Sequence, residues 1–143
     1  MTIPSEHPQA SLVSIEDGEC RELLTTTTVG HVAFVDDDGQ QLIPVNFAYL
    51  DGAVYFRTEP GRVLSALARG HDDVAFGVDH HDVFRHGWNV TVKGPAGEVE
   101  DRATINKVLG HSRLRPWAGG TRPMVIRIGV DSIDGRRVSG TNP

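Results

Sequence analysis

The sequence predicts a mainly β fold: six short antiparallel strands curled into a small closed barrel of Greek-key type, with a few short helices between them. Three observations predict it. Glycine and proline, 16 and 8 of the 143 residues, punctuate the chain with turns and argue against long helices. Segment after segment alternates apolar and polar residues at a period of two, the mark of a half-buried strand. Strands of this kind are safest in a closed sheet, because closure removes the edges along which sheets aggregate.

The elements follow in order. Residues 1–13 read as a flexible arm, since Pro4 and Pro8 among small polar residues offer little to bury, and residues 14–143 form the domain. Ser14 with Asp17 three residues on is a variant capping box, and Cys20, Leu23 and Leu24 then share a helical face. The run Thr25 to Thr28 leaves that helix for the first strand, because β-branched residues disfavour helix and favour strand. Residues 31–35 and 42–50 read as strands joined by the Asp36-Asp37-Asp38-Gly39 turn, and Asp51-Gly52 turns into a third strand at 53–57. Residues 62–69 place Val63, Leu64, Leu67 and Ala68 at helical spacing, with Gly70 as the stop. A strand at 74–78, a polar loop at 79–86 and a long strand at 87–100, bent at Gly94-Pro95, come next. A capped helix at 101–111 buries Ala103, Ile105, Val108 and Leu109, and an irregular stretch around 116–120 leads to a last strand at 124–130. Asp134-Gly135 then turns the chain into a short basic tail.

Composition limits the function. A chain of 143 residues supports one domain that buries roughly two-thirds of its unfolded surface. Fourteen Lys and Arg against nineteen Asp and Glu, net −5, disfavour nucleic acid and anionic membrane as partners, so any anion site has to be local. The single Cys20 excludes an internal disulfide and a cysteine-rich zinc site, in keeping with a reducing cytoplasm. Residues 1–10 carry no apolar signal-peptide core, and no stretch approaches the ~18 apolar residues of a membrane span, so a cytoplasmic protein is expected.

Two places carry candidate chemistry. Within 42–50, Ile43, Val45, Phe47 and Tyr49 alternate with Leu42, Pro44, Asn46 and Ala48, and the second set is unusual for a dry face. Either something polar lies against Pro44 and Asn46, or this is an edge or bulged strand facing solvent. In Arg57-Thr58-Glu59-Pro60-Gly61-Arg62, two guanidinium groups and a hydroxyl flank a turn that opens a helix, which suits a phosphate monoester. Two solvated surface arginines would give the same pattern. Position favours the anion reading, because an elongated ligand lying on the Pro44-Asn46 face would end at this turn. Trp88 and Trp117 read equally as core aromatics, although Trp117 sits in a Pro- and Gly-rich loop. His80, His81, Asp82 and His86 fall within seven residues but match no metal spacing, so an exposed polar loop and no metal site are expected. No Rossmann fingerprint, P-loop, nucleophile elbow or paired catalytic carboxylate is present.

From about residue 15 to 138 the chain resembles the FMN-binding split-barrel family, the pyridoxamine 5'-phosphate oxidase-like flavoproteins, especially their short actinobacterial type. The resemblance is carried by Pro44-Val45-Asn46-Phe47, Tyr55-Phe56-Arg57-Thr58 with Gly61-Arg62, the run from Gly87 to Gly94, and Trp117 with Arg122 ahead of Asp134-Gly135-Arg136-Arg137. It implies a homodimer with an FMN at the subunit interface. Pro44, Val45 and Asn46 would line the isoalloxazine, Arg57, Thr58 and Arg62 would hold the phosphate, and Gly61 belongs to the same cofactor-binding set. Arg62 departs from the lysine of many relatives, which keeps the charge and adds a fork. Trp88, Asn89, Trp117 and Arg122 would approach the flavin from the partner subunit or the pocket rim.

That resemblance implies a flavin-dependent oxidoreductase acting on a small molecule, with no side chain required as acid or base and none assigned as catalytic. True pyridoxamine 5'-phosphate oxidases are longer, and their substrate-phosphate residues are not matched here. Two alternatives stand beside this reading: a deazaflavin-dependent reductase on the same fold, and a non-catalytic flavin or haem carrier or sensor.

Overall fold

A computed structural model describes residues 11–84, 86–111, 114 and 123–139. Its strands are β1 (Ser11–Ser14), β2 (Val29–Asp36), β3 (Gly39–Asn46), β4 (Ala48–Leu50), β5 (Ala53–Thr58), β6 (His71–His81), β7 (Gly87–Glu98), β8 (Met124–Ile128) and β9 (Ser132–Ser139). Two α-helices, α1 (Asp17–Leu23) and α2 (Arg102–Leu109), and one 3-10 helix (Val63–Arg69) complete the described structure. None of the described helices is long and apolar enough to cross a membrane.

All nine strands join one antiparallel sheet in the order β3-β2-β6-β7-β8-β5-β4, with β9 also on β7 and β1 on β9. β3 and β4 are consecutive in the chain yet stand at opposite ends of that order, so the sheet curls until its ends approach. No ladder joins them among the described residues, and the result is a mainly β, curled half-barrel open along β3, consistent with a split barrel but short of the full closure expected from the strand pattern. β7 makes the curl possible. Along one edge it pairs with β9 over Gly87 to Lys93 and then with β8 over Ala96 to Glu98, so the partner changes at Gly94-Pro95, where the sequence predicted a bend.

The core fills the inside of the curl. Phe47, Phe56, Phe76, Val32, Val92 and Ile126 are fully buried, and the Phe47 and Phe76 rings meet edge-on at 4.8 Å. A second cluster, with Tyr55, Val108, Leu114 and Val125, lies under α2. The Asp101 carboxylate caps that helix by accepting from the Thr104 N–H at 2.9 Å and its hydroxyl at 2.6 Å.

Several expectations are corrected. The strand expected over 42–50 breaks at Phe47, whose N–H donates to the Thr28 carbonyl at 3.1 Å while its ring enters the core, so Ala48 turns inward instead of sharing the Leu42 face. Residues 11–13, expected in the arm, belong to β1, which pairs with β9, and residues 1–10 lie outside the described set. Ser14 belongs to β1, and the α1 N-cap is Glu16, with no side-chain cap bond. The turn expected at Asp134-Gly135 is strand β9, where Gly135 packs so tightly that a Cβ would lie 2.8 Å from the Cys20 sulfur. His80 and His81, expected in a loop, end β6 opposite Trp88 and Gly87. These changes turn six expected strands into nine segments.

Candidate functional site

The open seam of the half-barrel holds a cleft of about 340 Å³. One wall is the end of β3, with Pro44, Val45 and Asn46, and the other is the end of β5, with Arg57 and Thr58. Arg62 closes one side, Glu59 lies beside it, and Leu64 and Leu114 supply an apolar floor. Six residues singled out from sequence are thereby brought together.

Local chemistry explains each placement. β3 pairs only with β2 among the described strands, so Pro44, which has no N–H to donate, sits on a strand with one unladdered edge. Alternation then turns Val45 inward, while Pro44 and Asn46 stay exposed. At the end of β5, Thr58 is 8% exposed, and its hydroxyl donates at best a 3.5 Å bond to the neighbouring Glu59 carbonyl. Gly61 takes φ +86°, a left-handed value that strains other residues, and lets the Arg62 N–H reach back to the Glu59 carbonyl at 3.3 Å. Ser65 donates both its N–H and its hydroxyl to the Arg62 carbonyl, at 2.9 and 2.5 Å, fixing the start of the 3-10 helix.

The guanidinium groups are the electrostatic feature. Arg62 is 76% exposed and stands 4.0 Å from the Glu59 carboxylate, a loose pair. Arg57 is half-buried, and its side chain has no hydrogen bond or ion pair among the described residues. A sheltered cation without a counter-charge, beside an under-used hydroxyl, is an arrangement that an anion completes.

Other expected residues lie elsewhere. Trp88 and Asn89 line a separate groove of about 560 Å³ with His80, His81, His86 and Arg136. Trp88 is half-buried against the main core, with the His80 ring 6.2 Å away. One chain therefore does not bring Trp88 and Asn89 to the cleft. Trp117 and Arg122 lie outside the described residues. In the histidine-rich segment, Asp82 accepts from the N–H groups of Phe84 and His86 at 2.8 and 3.0 Å. These bonds, that from His86 foremost, hold its carboxyl below the usual range. No group of metal-ligating side chains converges among the described residues. Sequence reasoning missed Leu64 and Leu114 as cleft residues. The helical spacing of Leu64 marked it only as core, and nothing in the irregular stretch around Leu114 marked it at all.

The model of the pyridoxamine 5'-phosphate oxidase family matches residues 16–137. A search of the curated proteins finds no match. Among solved structures, an FAD binding protein from Mycobacterium smegmatis is similar at 30% identity and TM-score 0.74, over 88% of this chain and 97% of that one. An FAD-binding protein from Mesorhizobium loti superposes at 23% identity and TM-score 0.74, over 91% of this chain and 98% of that one. An FAD and haem binding protein from Mycobacterium smegmatis gives 18% identity and TM-score 0.70, over 91% and 75%. Identities as low as those of the second and third bear on the fold alone.

Proposed function

The chain belongs to the pyridoxamine 5'-phosphate oxidase family, and from that premise we propose that it is a flavin-binding oxidoreductase whose cleft between β3 and β5 holds FMN, alone or as part of a larger flavin. The observation that carries this reading is the half-buried Arg57, unpaired among the described residues and next to the Thr58 hydroxyl and Arg62. Arg57 and Arg62 would hold the phosphate with forked, charge-assisted bonds, and Thr58 would donate to it. Pro44 and Val45 would offer an apolar surface to the ring, and Asn46 amide groups for its polar edge. A bound flavin supplies two-electron chemistry, and the protein supplies binding, orientation and shelter from water. The substrate is a small molecule reaching the exposed ring face.

The working unit in this proposal is a homodimer with the cofactor at the subunit interface. Two observations favour it. The outer face of β2 and β3 carries exposed apolar side chains among polar ones, with Val29 at 48%, Val35 at 59% and Leu42 at 70%. Trp88 and Asn89, distant from the cleft in one chain, would then be supplied by the partner. The test is an absorbance spectrum of the purified protein with mass analysis of any released ligand. A yellow protein releasing a phosphorylated flavin is expected; a colourless protein that takes up deazaflavin instead would replace FMN with that coenzyme.

A further inference from the structure

Another concavity, of about 470 Å³, opens beside the start of α2 and shares no lining residue with the flavin cleft. Tyr55 of β5, Arg127 of β8 and Gly97 of β7 stand opposite one another across three strands, so they share one face of the sheet, and all three line this concavity. We infer that it binds a short free peptide of about three residues. The peptide carboxylate meets Arg127, its ammonium meets Glu100 and Asp101, and the Tyr55 hydroxyl bonds to a peptide group between them.

The decisive residue is Tyr55. It is 6% exposed, with its ring packed in the cluster under α2, yet its hydroxyl has no hydrogen bond among the described residues. The Tyr49 hydroxyl, by contrast, accepts from Arg21 at 2.8 Å. A hydroxyl this deeply placed is costly to leave unpaired, and because it is not sealed from solvent, a ligand in the concavity can reach it. Room for that ligand exists alongside: a Cβ added at Gly97 would meet no atom within 4 Å.

The charges at the two ends set the class of ligand. Arg127 is exposed and has no ion pair among the described residues, and its guanidinium lies back over Gly129, where an added Cβ would come 3.1 Å from Nη1. At the other end, Glu100 has no ion pair among the described residues, and Asp101 uses Oδ2 for Thr104 and leaves Oδ1 open. Glu98 adds negative charge at the rim. These carboxylates repel a simple anion and Arg127 repels a simple cation, whereas a ligand charged oppositely at its two ends satisfies both. An α-amino acid is too short, because its ammonium and carboxylate share one carbon. Gly97 and Glu100 are three positions apart, about 10 Å along an extended chain, a length that an extended tripeptide matches. Its peptide groups also give the Tyr55 hydroxyl a partner, which a hydrocarbon spacer lacks.

The experiment follows backbone amide chemical shifts of the full-length protein during titration with triglycine, N-acetyltriglycine, triglycinamide and 6-aminohexanoate. Triglycine should shift the Gly97, Val99 and Thr104 amides saturably. N-acetyltriglycine lacks the ammonium and triglycinamide lacks the carboxylate, so each should bind at least about tenfold more weakly, the loss of one charge-assisted contact. 6-Aminohexanoate keeps both charges without a peptide group and should bind about two- to tenfold more weakly than triglycine. Tyr55→Phe, which keeps the packed ring, should bring triglycine down to that level and leave 6-aminohexanoate unchanged, and Arg127→Gln should make triglycine and triglycinamide equal. No saturable shift at those amides, or blocked peptides binding as tightly as the free one, would overturn the site. 6-Aminohexanoate binding the wild-type protein as tightly as triglycine, or a Tyr55→Phe protein that binds both as before, would overturn the peptide assignment.

Discussion

Arg57→Ala removes a guanidinium that nothing among the described residues pairs, so its consequences separate cleanly into affinity and stability. The side chain is half-buried in a concave site, whereas Arg62 is 76% exposed and already 4.0 Å from a carboxylate. A charge-assisted hydrogen bond in a sheltered position contributes about 1.5–3 kcal/mol, so FMN affinity should fall by one to two decades. Arg62→Ala should cost less, because solvent and Glu59 already screen that charge. Arg57→Lys should fall between wild type and Arg57→Ala, keeping the charge and losing the fork. Stability should barely change, within about 0.5 kcal/mol, since no ion pair is broken among the described residues. Calorimetric titration of flavin, paired with thermal melts of the same samples, reads both quantities. Unchanged affinity in a folded Arg57→Ala protein would refute the placement of the phosphate.

Two other perturbations test the scaffold. Gly94→Ala would drive a Cβ into the Gly129 carbonyl where β7 changes partner, so it should cost about 1–3 kcal/mol and lower Tm by several degrees in a thermal scan; an unchanged Tm would mean that the bend is slack. The Asp101 carboxyl is held below its usual range by the Thr104 hydroxyl and N–H, so its cap contributes above the unfolded value of about 4 and is lost as pH falls through the folded value. Asp101→Asn should therefore weaken the acid dependence of stability in that window, measured by denaturant melts at stepped pH, and leave neutral-pH helix content close to wild type.

The parts of the fold set by local chemistry were readable from sequence. Asp51-Gly52 turns with φ of +49° and +80°, and Gly39 with +111°, as tight hairpins require, so the separate β2–β3 and β4–β5 hairpins followed from the turn residues, whereas the continuous three-strand run through 42–50 did not hold. The cleft residues were readable for a related reason: a proline and an asparagine on one strand face, and arginines around a Gly turn, each break the ordinary pattern of a core strand. What escaped depends on contacts far apart in the chain. β1 pairs with β9, and no periodicity within either short segment announces the other. The break at Phe47 arises because the core claims its ring, and the distance between Trp88 and the cleft follows from how β7 lies across the sheet. Their sequence signals, an aromatic in an alternating run, are the same in either location.

Flavin binding in the cleft depends on a phosphate being gripped at Arg57, and riboflavin offers the most direct test, because it carries the same ring without that group. Affinities of FMN and riboflavin measured side by side should differ by at least about tenfold in the wild-type protein, and the difference should collapse in Arg57→Ala. Equal binding of the two by the wild-type protein, or a difference that survives the substitution, would contradict it.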